Sequence, residues 1–114
     1  MVDVSAVALS GIYASEKRIA VAADNVANLQ TPGFAAKDVV QSANAGGGVN
    51  AQVQPRSPAT VSAVDNEGKE TTLPNASADE EVVAAQTATY TAKANLKVLQ
   101  VQKQLDKSLL DIQA

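Results

Sequence analysis

Two helical periodicities dominate the two ends of the chain. From about Val2 to Leu29, apolar residues recur at Ile12, Ile19 and Val26, seven apart, with Leu9, Ala22, Ala23 and Leu29 filling the half-heptad steps. That spacing predicts a helix with a narrow seam of coiled-coil type. From about Asp79 to Ile112 a second stripe runs Val83, Thr87, Tyr90, Ala94, Val98, Val101, Leu105, Leu109, Ile112, in steps of three and four. A second row, Val82, Ala85, Ala92, Leu96 and Leu99, widens the apolar face beyond what one partner helix covers. Ser77 is placed to cap this helix, with Glu80 at capping-box spacing and Asp79, Glu80 and Glu81 at the end where the helix dipole favours acids. At ~1.5 Å per residue each helix would be on the order of 40–50 Å long. The prediction is a mainly α fold: two long antiparallel helices from the chain ends forming a coiled-coil-like hairpin. In that hairpin Ile12, Ile19 and Val26 are expected to meet Val98, Leu105 and Ile112. Leu96, Leu99, Leu109 and Leu110 are left for contacts with further chains, although ordinary core packing would use the same residues.

The pattern divides one domain into three parts: 1–34, 35–78 and 79–114. The middle holds Pro55, Pro58 and Pro74 and the run Gly46-Gly47-Gly48. Val49, Ala51 and Val53 alternate with polar residues, as do positions 60 to 64, and Asp65-Asn66-Glu67-Gly68 reads as a turn. Short strands and an irregular loop both fit, because proline argues for edge or irregular structure.

The end of the first helix is written more specifically. Pro32 disfavours helical backbone at Thr31, so the helix stops by about Gln30. Pro32-Gly33 supplies the central pair of a type II turn, and Phe34, the only Phe, follows it. Asn25 and Asn28 share a helix face, where their amides could cap loose backbone groups or reach a neighbouring chain. Gly11, inside the helix, costs about 1 kcal/mol relative to Ala. It either admits another helix closely or is a tolerated surface glycine.

Composition narrows the chemistry. The chain has no His and no Cys, which excludes thiolate nucleophiles, disulfides, zinc fingers and His-based catalysis. Glu80 and Glu81 are adjacent, about 100° apart on a helix, and so do not form an acid–base pair. No catalytic, cofactor or metal site is expected. The net charge of −3 and dispersed Lys and Arg argue against nucleic acid, and no apolar run reaches membrane-span length. The N-terminus lacks the basic region of a cleavable signal. Only 3% of residues are aromatic, and a core of Ala and Val buries little area per residue. Lys93 and Lys97, then Lys103 and Lys107, form like-charge pairs four apart; they make a solvated face or meet acids on an adjacent subunit.

Residues 6–34, AVALSGIYASEKRIAVAADNVANLQTPGF, resemble the N-terminal signature of bacterial flagellar axial proteins: Ser10-Gly11, then Arg18-Ile19, then Asn25-Val26-Ala27-Asn28, then Thr31-Pro32-Gly33-Phe34. Asp24 stands where the family has an asparagine, and the dipole at a helix C-terminus disfavours that charge unless a base offsets it. The family's C-terminal element, an acidic pair followed by Tyr-x-Ala-Asn and a Leu-rich tail, is similar to Glu80-Glu81, Tyr90 to Asn95, and Leu105 to Ile112. The short middle resembles the small proximal rod proteins of the FlgC type, with Gly48-Val49, Glu67-Gly68 and Leu73-Pro74-Asn75 in place, although Lys69 replaces an aromatic. The resemblance implies a structural subunit of the flagellar basal-body rod, not an enzyme. It would be exported through the type III apparatus without a cleavable signal and assembled head-to-tail with itself and other rod subunits. A soluble helical-hairpin adaptor built on the same seam is the alternative; it does not require the Thr-Pro-Gly-Phe ending.

Overall fold

The computed structural model describes residues 3–113. Helix α1 spans Val4–Ala27 and helix α2 spans Ala78–Gln113. Between them lie β1 (Lys37–Ala43), β2 (Val49–Pro55), β3 (Thr60–Val64) and β4 (Glu70–Pro74). The expectation of a mainly α molecule is therefore corrected: the chain is 54% helix and 22% strand, with four antiparallel strands in two small sheets. β1 pairs with β2 and β3 with β4, each pair a separate hairpin. Sequence pattern found the alternation of β2 and β3 and the turn at 65–68, but not β1 or β4. Lys-Asp-Val-Val-Gln-Ser-Ala in β1 does not alternate, so no period-two signal exists there.

Asp3 caps α1, its Oδ1 accepting from the Ser5 and Ala6 amides at 2.9 and 3.4 Å. The expected start at Val2 lies outside the described residues. Ser77 Oγ accepts from the Glu80 amide at 3.4 Å and starts α2. The helices run antiparallel. Gly11 faces Asn95, while Arg18, Val21 and Ala22 line one cleft with Glu81 and Ala84. In this register the N-terminal start of α1, Val4, lies opposite about Gln102. Every described residue of α2 from Lys103 onward is exposed. The free end therefore has no intramolecular partner, and Leu105 and Ile112 do not meet Ile12, Ile19 or Val26 as expected.

The face of α2 turned toward α1 is its small-residue row, not its large one. Glu81, Ala85, Ala88, Ala92, Asn95, Leu99 and Gln102 are buried or half-buried in heptad steps, with Thr89 beside the row. Opposite them on α1 are Ala8, Gly11, Ser15 and Ala22. The buried apolar residues are all alanines: Ala8, Ala14, Ala22, Ala36, Ala51 and Ala88. Alanine and glycine let helix axes approach closely but remove little apolar surface from water, about 25 cal/mol per Å². The stripe from Val83 to Ile112 points away from α1 and lies in the open.

The β1–β2 hairpin lies along a second side of α1. Lys37 sits at Asn25, Ala51 at Lys17 and Val49 at Ser10. The β3–β4 hairpin is held to the rest by Gly33 N–H to the Thr72 carbonyl in the middle of β4 (2.9 Å) and by Ala36 N–H to the Ala59 carbonyl just before β3 (3.0 Å). Among the described residues neither helix packs along it. The molecule measures 76 × 25 × 14 Å.

Candidate assembly interface

The motif residues of α1 act as fasteners at its two ends. At the first, Ser10 Oγ accepts from the Val49 amide at 3.1 Å and donates to the Val7 carbonyl at 2.6 Å. Gly48, at φ +85°, approaches so closely that an added Cβ would lie 2.6 Å from that hydroxyl. A Cβ at the next residue, Gly11, would collide with the Asn95 amide on α2. Ser10 thus holds the hairpin and Gly11 admits the helix. Close helix approach is the reading that the structure supports for Gly11.

At the second end, Asn25 is fully buried, at 0% exposure. Its Nδ2 donates to the Lys37 carbonyl at 2.9 Å and its Oδ1 accepts from the Lys37 amide at 3.0 Å. One side-chain amide thereby stands in for a neighbouring strand's peptide and pins the start of β1 to the helix. Asn28 instead caps its own helix, donating to the Asp24 carbonyl at 2.8 Å and accepting from Thr31 Oγ1 at 3.2 Å. The turn follows as expected: Gly33 has φ +78°, and Phe34 N–H bonds to the Thr31 carbonyl at 3.2 Å. Lys37 Nζ lies 2.8 Å from Asp24 Oδ2 and 5.5 Å above the Phe34 ring. The base that offsets Asp24 is within the chain, and no second subunit is needed for it.

Arg56, not singled out from sequence, joins the hairpins to α2. Its Nε donates to Asp38 and one terminal nitrogen to Glu81, both at 2.9 Å, while the other terminal nitrogen reaches the Asn75 carbonyl at 2.6 Å. Glu81 is 4% exposed. Burial alone would lower the Arg56 pKa, but the bonds to Asp38 and Glu81 outweigh it and raise it, keeping the guanidinium charged. A lone arginine between two prolines gives no periodic signal. The buried acid at Glu81, in a heptad row of alanines, was the one available clue.

The remaining expected residues lie on α2 and α1 surfaces. Ile12 and Ile19 are half-buried, and Val26 is exposed. Tyr90 is 71% exposed, with Lys93 Nζ 6.0 Å from its ring. Asn95 donates to the Thr91 carbonyl at 3.1 Å and faces Gly11. Leu99 is half-buried, whereas Leu96, Val98, Leu105, Leu109, Leu110 and Ile112 are exposed, Ile112 at 80%. At ~100° per residue, α2 has three faces about a third of a turn apart. One is packed on α1, one carries the exposed stripe from Val83 to Ile112, and one carries the lysines.

No group of three or more His, Cys, Asp or Glu suited to a metal ion occurs among the described residues, and no described helix is long and apolar enough to cross a membrane. What the geometry defines is an elongated two-helix molecule with an apolar face of α2 left exposed. Residues 6–34 match the family model described as flagella basal body rod protein. The match spans the two fasteners, from before Ser10 to Phe34. No curated protein matches the chain.

Proposed function

We propose that this protein is a structural subunit of the flagellar basal-body rod that assembles through the exposed apolar stripe of α2. The observation that carries this reading is the inversion of the helix pair. Alanines hold the monomer together, while Val83, Val98, Val101, Leu105, Leu109 and Ile112 face solvent. A stripe of that length would not persist on a protein that stays monomeric, since large exposed apolar patches mark interaction sites. An open-ended helical contact between subunits gives a filament rather than a closed ring. The family implies contacts with other rod subunits as well as with copies of itself. The resemblance also supports export through the type III apparatus, and an alanine core suits a chain that must be unfolded for threading. The short middle favours the small proximal, FlgC-type position in the rod.

Fractionation tests the proposal. A tagged chain should co-purify with detergent-resistant basal bodies, and deleting its gene should abolish motility. Recovery as a soluble protein from cells whose rods are complete would overturn it and favour the adaptor.

A further inference from the structure

The molecule carries a strong separation of charge along its length. Between Asp65 and Glu80 there are five acids and one lysine; between Lys93 and Lys107 there are four lysines and one aspartate. All of these side chains lie on exposed residues. Among the described residues none of them joins a salt bridge, the ion pairs being Lys37–Asp24, Arg56–Asp38 and Arg56–Glu81. The acids belong to the β3–β4 hairpin and the first turn of α2. Lys93, Lys103 and Lys107 share the third face of α2 with Gln100 and Gln104, Lys97 stands at its border with the apolar stripe, and this face runs onto the free end beyond α1. The two groups sit toward opposite ends of a 76 Å molecule and cannot meet within one chain.

We infer that the β3–β4 hairpin of one copy docks on the lysine face of α2 of a second copy, so that the chain joins head to tail. The inference rests on the rod reading and adds to it a surface, a partner and a polarity. Two observations select this occupant. The first is charge: opposite patches steer encounter and fix register between partners. The second is the state of the hairpin. A two-stranded hairpin is marginal alone in water, and here no helix covers it. Val61 and Val64 are exposed on it, as are Leu96 and Leu110 beside the lysines. Docking covers both sets of apolar side chains and opposes Glu67 and Glu70 to Lys103 and Lys107. The apolar stripe of α2, a third of a turn away, stays open for lateral neighbours.

The absence of native cysteine makes the contact readable by oxidation. Asn66→Cys at the hairpin turn and Gln104→Cys on the lysine face change no charge, and both positions are exposed. Full-length copies of the two variants, mixed and oxidised at low salt, are expected to give a mixed disulfide dimer. Its yield should exceed at least tenfold that of Asn66→Cys mixed with Thr87→Cys, which sits on the apolar stripe. Adding Lys103→Glu and Lys107→Glu to the Gln104→Cys copy should remove the excess. Adding Glu67→Lys and Glu70→Lys to the Asn66→Cys copy should restore it, with helix content by circular dichroism confirming that each variant folds. Assemblies that sediment without the 66–104 adduct, or an adduct indifferent to charge reversal, would overturn the inference and leave the rod reading standing. No self-association at any concentration would overturn it as well. An adduct that obeys the charge swaps, in a chain absent from basal bodies, would support this contact and remove the rod reading.

Discussion

At Gly11 a missing side chain sets the distance between the two helices. Alanine there would push the Asn95 amide aside and break its bond to the Thr91 carbonyl, a loss of about 0.5–1.5 kcal/mol. Replacing a helical glycine by alanine returns about 1 kcal/mol. Gly11→Ala should therefore lie within about 1 kcal/mol of the parent. Gly11→Leu should cost about 2–3 kcal/mol, because no swing of Asn95 clears a branched side chain against a close-packed partner. Urea midpoints of the two variants check the contrast. Asn25 makes a different kind of contribution, since it satisfies both backbone groups of Lys37 from a fully buried position. Asn25→Ala leaves the Lys37 amide without a partner, at about 1–3 kcal/mol, and its carbonyl with only the 3.4 Å bond from Arg56. The expected loss is about 2–4 kcal/mol, with faster hydrogen exchange at Lys37 as the local signature.

At the scale of elements, Arg56 decides how the strands attach to the helices. Arg56→Met should destabilise the chain by about 3–5 kcal/mol, because it leaves the Glu81 carboxylate buried without its partner. Glu81→Gln keeps an acceptor for the guanidinium and should cost less; thermal melts of both variants test the order. The ends of the elements were legible in sequence because they depend on local chemistry. Pro32 bars α1 from running past about Gln30, Asn28 caps it at Ala27, and Ser77 starts α2 by its own hydroxyl. The pairing of the helices was not legible in the same way. Periodicity finds rows on a helix but does not say which row faces inward, and size alone assigns the seam to the largest residues. Gly11, Ala8, Ser15 and Ala22 demanded a close partner, and only the Ala85, Ala88, Ala92 row is small enough to provide one. β1 and β4 stayed hidden because neither alternates: Val39 and Val40 are adjacent in β1, and β4 is polar up to Leu73 and Pro74. Their positions come from Asn25 at one end and Arg56 at the other, contacts between residues far apart in sequence.

At the scale of the whole molecule, the chain is built with surface to spare. Its accessible area is 7864 Å², against about 5,900 Å² for a compact monomer of its mass. Its radius of gyration is 19.6 Å, where about 13 Å is usual for its length. Much of that excess lies on α2, and burial on α2 stops at Gln102. A truncation after Gln102 therefore separates folding from assembly. The shortened chain removes Leu105, Leu109, Leu110 and Ile112 but no intramolecular contact made by a buried residue. Its melting midpoint should match the parent within a few degrees, since about 1 kcal/mol shifts the midpoint of a domain this size by roughly 4–8 °C. Sedimentation should show it unable to join assemblies of the full chain. Leu105→Asp with Leu109→Asp in the full-length chain should reproduce both results, which removes helix length as the cause. A truncated chain that melts far below the parent would instead make the free end of α2 part of the fold, and the division between an alanine seam inside and a leucine face outside would be lost.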